Sequence, residues 1–132
     1  MHLVAVFAAA ATLAVAPTEG VPLTALGGSG VTGKATAGAQ LAGTRVVFRV
    51  RGISPNAAVR AIFQAGTCAK RSASFAAVGS VHADAGGQAK WSARVLFHGT
   101  PVSWQTAADG GHVLVVIAAG KAVACGVIPG MS

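Results

Sequence analysis

The sequence predicts an all-β fold, an eight-stranded antiparallel Greek-key barrel or sandwich. Apolar and polar residues alternate with a period of two in several short stretches, which is the pattern of a strand with one buried face. Breaks containing Gly, Pro or Asn separate seven or eight such stretches, as in sandwiches and barrels. Outside the N-terminal segment, no stretch has the period of an amphipathic helix.

The strands and turns are predicted in order along the chain. The clearest strand is 45–51, because Val46, Phe48 and Val50 point to one side while three arginines point to the other. The turn at 84–87 contains two glycines, which supply the positive φ of a tight hairpin. The remaining predicted elements are a turn at 52–56, a strand at 58–65, a loop at 69–74, strands at 75–81 and 88–97, a turn at 109–111, and strands at 112–119 and 121–128.

The N-terminal segment has a different character from the rest of the chain. Residues 3–16 form an uncharged apolar stretch that ends in Ala-Val-Ala, a small-x-small cleavage pattern, just before Pro17. A stretch of about 14 residues is short for a membrane span but suits the apolar region of a signal peptide. We therefore expect residues 1–16 to be a signal peptide and the protein to be secreted, periplasmic or bound to the cell envelope. The alternative is a hydrophobic N-terminal strand or anchor.

Two further segments complete the predicted organisation. Residues 17–30 are rich in Pro, Gly and Thr and have no sustained period, so we expect a flexible lead-in. Residues 31–132 form the β domain, and 132 residues support a single domain.

The charge balance is strongly basic. Ten Lys and Arg residues face three acids, for a net charge of +7, and the basic residues are dispersed along the chain. The positive electrostatic potential of such a protein attracts cell-wall polymer, lipid headgroups or nucleic acid without specifying a partner. The absence of Tyr and of a basic-aromatic motif argues against sequence-specific nucleic-acid binding. Four arginines are the candidate contacts for an anionic ligand: Arg45, Arg49, Arg51 and Arg60.

The cysteines, histidines and aspartates indicate less about function. The two cysteines of a small exported domain favour one disulfide, which would stabilise the fold by roughly 3–4 kcal/mol, although two buried free thiols are the alternative. His82, His98 and His112 lie in separate segments with no carboxylate at an orienting spacing. Asp84 and Asp109 sit in Gly-rich turns, where Asp is favoured for its backbone hydrogen bonds. No catalytic or metal site is predicted from these residues.

Several stretches resemble one known family. They are Ala-Cys-Gly-Val-Ile at 124–128, Gly-Thr-Cys at 66–68, and the stretches 50–55, 78–89 and 111–117. In this order they are similar to the copper/zinc superoxide dismutases, and the resemblance covers about 31–128. It implies the Greek-key barrel and a disulfide between Cys68 and Cys125.

The metal ligands of that family have no counterparts here. Ile117 stands where a copper-binding His would follow Leu-Val-Val, and the stretch 60–64, which includes Ile62, has no His. The shortened loop 69–77 holds neither His nor Asp, and Ala122 replaces the substrate-steering Arg. Imidazoles fixed on a rigid strand are what a copper site requires. We therefore expect no copper or zinc cofactor.

These observations support three hypotheses about function. The first is an exported, non-catalytic domain that acts through its surface as a binding or envelope-associated module, with a partner that the sequence does not name. The second is a family enzyme that still dismutates superoxide with a rearranged copper/zinc site. The third is a basic module that binds anionic polymers. Ile62 and Ile117 form either an exposed partner patch or, if the shortened loop covers them, part of the core.

Overall fold

The structure is a computed structural model, and it describes residues 18–129. The expected signal peptide, residues 1–16, lies outside the described residues. The elements are β1 (Thr18–Ala25), β2 (Thr32–Gln40), β3 (Gly43–Arg51), β4 (Ala58–Gly66), β5 (Arg71–His82), β6 (Ala89–Arg94), β7 (Leu96–Phe97), β8 (Thr100–Pro101), α1 (Trp104–Ala107), β9 (His112–Ala118) and β10 (Lys121–Ile128). The single turn of α1 begins after Ser103, whose hydroxyl caps it. Nowhere in 18–129 is a helix long and apolar enough to cross a membrane.

The strands form a nearly closed antiparallel barrel. Their order is β6-β3-β2-β1-β10-β9-β4-β5-β7-β8, and every pairing is antiparallel. Strands β6, β3, β2 and β1 form one sheet, and β1 joins it to a second sheet that runs from β10 to β8. Strand β9 returns through a long connection to lie between β10 and β4. The indole N–H of Trp91 on β6 donates to the carbonyl of Val78 on β5 at 3.0 Å, so the edge strand β6 of the first sheet meets β5 of the second. The all-β antiparallel architecture is thus confirmed.

The number of strands is ten rather than the expected eight. Eight of them have six or more residues, and β7 and β8 have two each. The predicted strand 88–97 divides at Val95, because β6 pairs with β3 whereas β7 pairs with β5. Val95 is fully buried, and its backbone N–H donates to the backbone carbonyl of Thr44. The alternation of side chains does not reveal this change of partner, and Phe97, two residues after the buried Val95, is 43% exposed.

The expected flexible lead-in, 17–30, contains strand β1. This strand pairs with β2 along six residues and with β10 at Thr24 and Ala25. Val21 and Leu23 point into the core and are almost completely buried. The strand was missed because Gly20 and Pro22 interrupt a short alternation that has only two buried apolar residues.

Two apolar clusters hold the barrel together. The larger fills its interior, where the rings of Phe48 and Trp91 stack with centroids 4.4 Å apart. Strand β9 is buried on both faces: Leu114 and Val116 belong to the larger cluster, and Val113 and Val115 belong to the smaller one. Because both faces of β9 are covered, side chains on both faces are buried, and the strand reads as a continuous apolar run and not as an alternation.

One disulfide joins the loop after β4 to strand β10. Cys68 and Cys125 are bonded, with their Cα atoms 5.9 Å apart. The expected pairing is therefore confirmed, and it is consistent with an oxidising, extracellular compartment.

Candidate anion-binding face

The outer face of β3 is built by strand alternation. Val46, Phe48 and Val50 are buried, whereas Arg49 and Arg51 are exposed and Arg45 is half-buried on the opposite side. Successive side chains of a strand point to opposite faces, so the apolar residues that fix β3 to the core also fix where its arginines point. The sequence prediction for this strand is confirmed.

Neighbouring strands add two lysines to this face. Arg49 lies directly opposite Lys34 on β2 and directly opposite Lys90 on β6. Residues that face each other across antiparallel strands have Cβ atoms about 5 Å apart and share one side of the sheet. Lys34, Arg49 and Lys90 therefore form a row of three cations across three strands, here called the basic row.

The basic row borders an open cavity. Its volume is about 420 Å³, and its lining includes the whole basic row, with Arg51, Thr32 and Gln88 beside it. Arg51 lies opposite Thr32 on β2 and is a fourth positive charge at the cavity. No carboxylate lines it.

The acids of the described chain are placed elsewhere. Within residues 18–129 the one close contact between a basic and an acidic side chain joins His112 Nδ1 to Asp109 Oδ1, at 2.9 Å, so no Lys or Arg of this face pairs with a carboxylate. The Asp84 carboxylate accepts two backbone N–H groups, from Gly86 and Gln88, within its own turn. Like charges directly opposite each other in a sheet are destabilising. The basic row consequently carries a repulsion that no ion pair within residues 18–129 relieves.

Arg45 occupies the same face but has a different role. Its guanidinium donates to the side-chain oxygen of Gln40 and to the hydroxyl of Ser92, both at 2.6 Å. Arg94, which lies opposite Arg45, donates to the carbonyl of Leu41 at 3.2 Å. These contacts tie β6 and the β2–β3 hairpin together, and neither arginine lines the cavity.

Arg60, the fourth candidate contact, is not part of this face. It lies on β4 in the other sheet, with its guanidinium carbon 5.9 Å from the ring centroid of Phe75. The structure thus brings together Arg49 and Arg51 and separates Arg60 from them.

Sequence reasoning missed Lys34 and Lys90 as members of the site. Each is a lone lysine in its own strand, and 56 positions separate them along the chain. Only the register of β2, β3 and β6 places them beside Arg49. Strand alternation places Lys90 on the opposite face from Trp91. Alternation does not show which residue of the neighbouring strand lies opposite Lys90.

The candidate partner patch at Ile62 and Ile117 is not an exposed surface. The two side chains are 6% and 9% exposed, and they pack in the smaller cluster with Val113, Val115 and Cys125. Leu26 and the bridged Cys68 pack against this cluster from outside. Ile62 and Ile117 therefore belong to the core, but Leu26, Ala122 and the bridged Cys68 pack over them, whereas residues 71–77 of the loop expected to cover them lie in β5.

These positions do not fit a copper ion. The side chains around Ile62 and Ile117 are aliphatic or belong to the disulfide, so they offer no imidazole or free thiolate as a ligand. His82, His98 and His112 line three different cavities. Across 18–129, no three His, Cys, Asp or Glu side chains come together in a group able to hold a metal.

No family model matches the chain, and no curated protein matches it. The function is therefore inferred from the residues and geometry described above.

Proposed function

We propose that this protein is an exported, non-catalytic β-barrel module, a divergent relative of the copper/zinc superoxide dismutases, which binds an anionic polymer of the cell envelope or its surroundings. The observation that carries the proposal is the basic row. Three cations lie in direct cross-strand register, a fourth stands beside them, and no carboxylate in 18–129 pairs with any of them.

An unpaired row of this kind is costly to folding unless a ligand uses it. Functional sites often keep residues that reduce the stability of the fold. A polyanion would neutralise the row and release its own counterions, which makes binding strong at low salt and weak at high salt. The outward direction of the row, fixed by β3, leaves it accessible to an extended chain.

Two other features support the divergent-relative part of the proposal. The Cys68–Cys125 bridge joins the two cysteines that the resemblance pairs, and the chain forms a nearly closed antiparallel barrel. Export follows from the apolar segment at 3–16 and agrees with a disulfide-forming compartment. Dismutation is not proposed, because the side chains at the family's copper positions do not fit the metal.

The test compares two charge reversals of equal size. Arg49→Glu removes the centre of the basic row, and Arg60→Glu makes the same change of net charge on the other sheet. The wild-type protein and the Arg60→Glu variant are expected to elute from immobilised heparin at similar salt, and Arg49→Glu at clearly lower salt. Equal losses in both variants would show that only net charge matters and would refute a site at the basic row.

A further inference from the structure

The cavity beside the basic row has a distinctive chemical character. Every polar side chain in its lining has a hydrogen-bond donor: the three cations of the row, Arg51, the Thr32 hydroxyl and the Gln88 amide. No side chain in its lining is acceptor-only. A ligand that matches it presents acceptor oxygens and several negative charges within one small volume.

Resting on the proposed anion-binding function, we infer that this cavity takes two or more adjacent phosphate groups, as in pyrophosphate or a polyphosphate chain. Neighbouring strands lie about 4.8 Å apart, so Lys34, Arg49 and Lys90 rise from three points within about 10 Å. Their long side chains reach a single compact group from three directions. The ligand therefore carries its charge densely and not at wide intervals along a chain.

Carboxylate polymers meet this requirement less well than phosphates. A carboxylate has one charge and two oxygens in a plane, a geometry that one Arg fork satisfies. A terminal phosphate group has three acceptor oxygens and about −1.5 to −2 charges, so it engages two or three cations at once. Four positive charges around about 420 Å³ match two adjacent phosphates better than two carboxylates.

Residue chemistry in the row agrees with this assignment. Arg49 supplies a planar fork that binds two oxygens of one group, whereas Lys34 and Lys90 act as mobile point charges on either side. Arg51, two residues along β3 from Arg49, lies about 7 Å away and reaches the next group of the chain.

The test is isothermal titration calorimetry with tripolyphosphate and with citrate, a compact polycarboxylate, at equal ionic strength. One tripolyphosphate is expected per chain, bound at least about tenfold more tightly than citrate. Lys34→Gln and Lys90→Gln should each weaken tripolyphosphate binding by about tenfold, since each removes one charge-assisted contact. Arg60→Gln, on the other sheet, should leave it unchanged.

The outcomes separate this inference from the proposed function. Equal affinities for citrate and tripolyphosphate, both lost in Arg49→Glu, would overturn the phosphate assignment and keep a polyanion site at the row. If neither compound binds and heparin retention does not depend on Arg49, both are overturned. Vesicles that carry a polyprenyl pyrophosphate distinguish the source: sedimentation of the protein with them, but not with phosphatidylglycerol vesicles, assigns a lipid-borne group. Tripolyphosphate binding without such sedimentation assigns a free chain.

Discussion

Arg49 on β3 and Lys90 on β6 lie directly opposite each other, and within residues 18–129 no carboxylate pairs with either. Lys34 faces Arg49 from the other side, so the central arginine has a like charge on both neighbouring strands. A sheet selected for stability alone would place an acid at one of these positions. The arrangement is understandable if the three cations bind something outside the chain.

Replacing Arg49 by Glu should make the fold more stable while it weakens polyanion binding. The new carboxylate would face Lys34 and Lys90, and two like-charge pairs would become opposite-charge pairs. We expect the free energy of unfolding to rise by about 1 kcal/mol in low salt, as measured by urea denaturation. The gain should shrink in high salt, where the charges are screened. A destabilised Arg49→Glu variant would mean that the arginine is a structural residue.

Replacing Ile117 by Asp should destabilise the barrel severely. Ile117 is 9% exposed in the smaller cluster, so an unpaired charge there would lack both solvent and a partner. We expect a loss of more than about 3 kcal/mol by chemical denaturation. The matched control is Val127→Asp on β10, because Val127 is 56% exposed, and its cost should stay within about 0.5 kcal/mol. Equal effects of the two substitutions would contradict the burial described for Ile117.

The disulfide should contribute about 3–4 kcal/mol to the free energy of unfolding, because it closes a loop between residues 57 positions apart. The double variant Cys68→Ala, Cys125→Ala tests this without adding a buried hydroxyl beside the apolar cluster. Urea denaturation of the variant and the oxidised wild type gives the difference. Thiol titration of the unfolded, non-reduced wild type should detect no free thiol; two free thiols would show that the bridge is absent in solution.

The indole of Trp91 should contribute more to the free energy of unfolding than that of Trp104. Trp91 donates its N–H to Val78 across the seam between β6 and β5, whereas the buried N–H of Trp104 has no protein hydrogen-bond partner within residues 18–129. Trp91→Phe should therefore lower the free energy of unfolding by about 1–2 kcal/mol more than Trp104→Phe. Thermal unfolding of the two variants compares them directly. A larger cost at Trp104 would indicate that packing, and not the seam hydrogen bond, governs both positions.

The sequence predicts those parts of the fold that depend on local alternation and turn chemistry. The strand around Phe48 and the turn at Asp84 are examples, because a period of two and a pair of glycines are visible without knowledge of the neighbours. It does not predict where Val95 leaves one sheet for the other, since that depends on which strands lie alongside. For the same reason it finds Arg49 but not Lys34 and Lys90, which join the site only through inter-strand register.

The pairing of β1 with β10 has a consequence for how the chain acquires its structure. The hydroxyl of Thr24 donates to the carbonyl of Cys125, a partner 101 positions later in the chain. Contacts between such distant segments slow folding, because the loop between them must close before they form. The barrel therefore cannot be completed during synthesis until β10 has emerged. Because Cys125 lies on β10, its bond to Cys68 also cannot form until that strand has emerged.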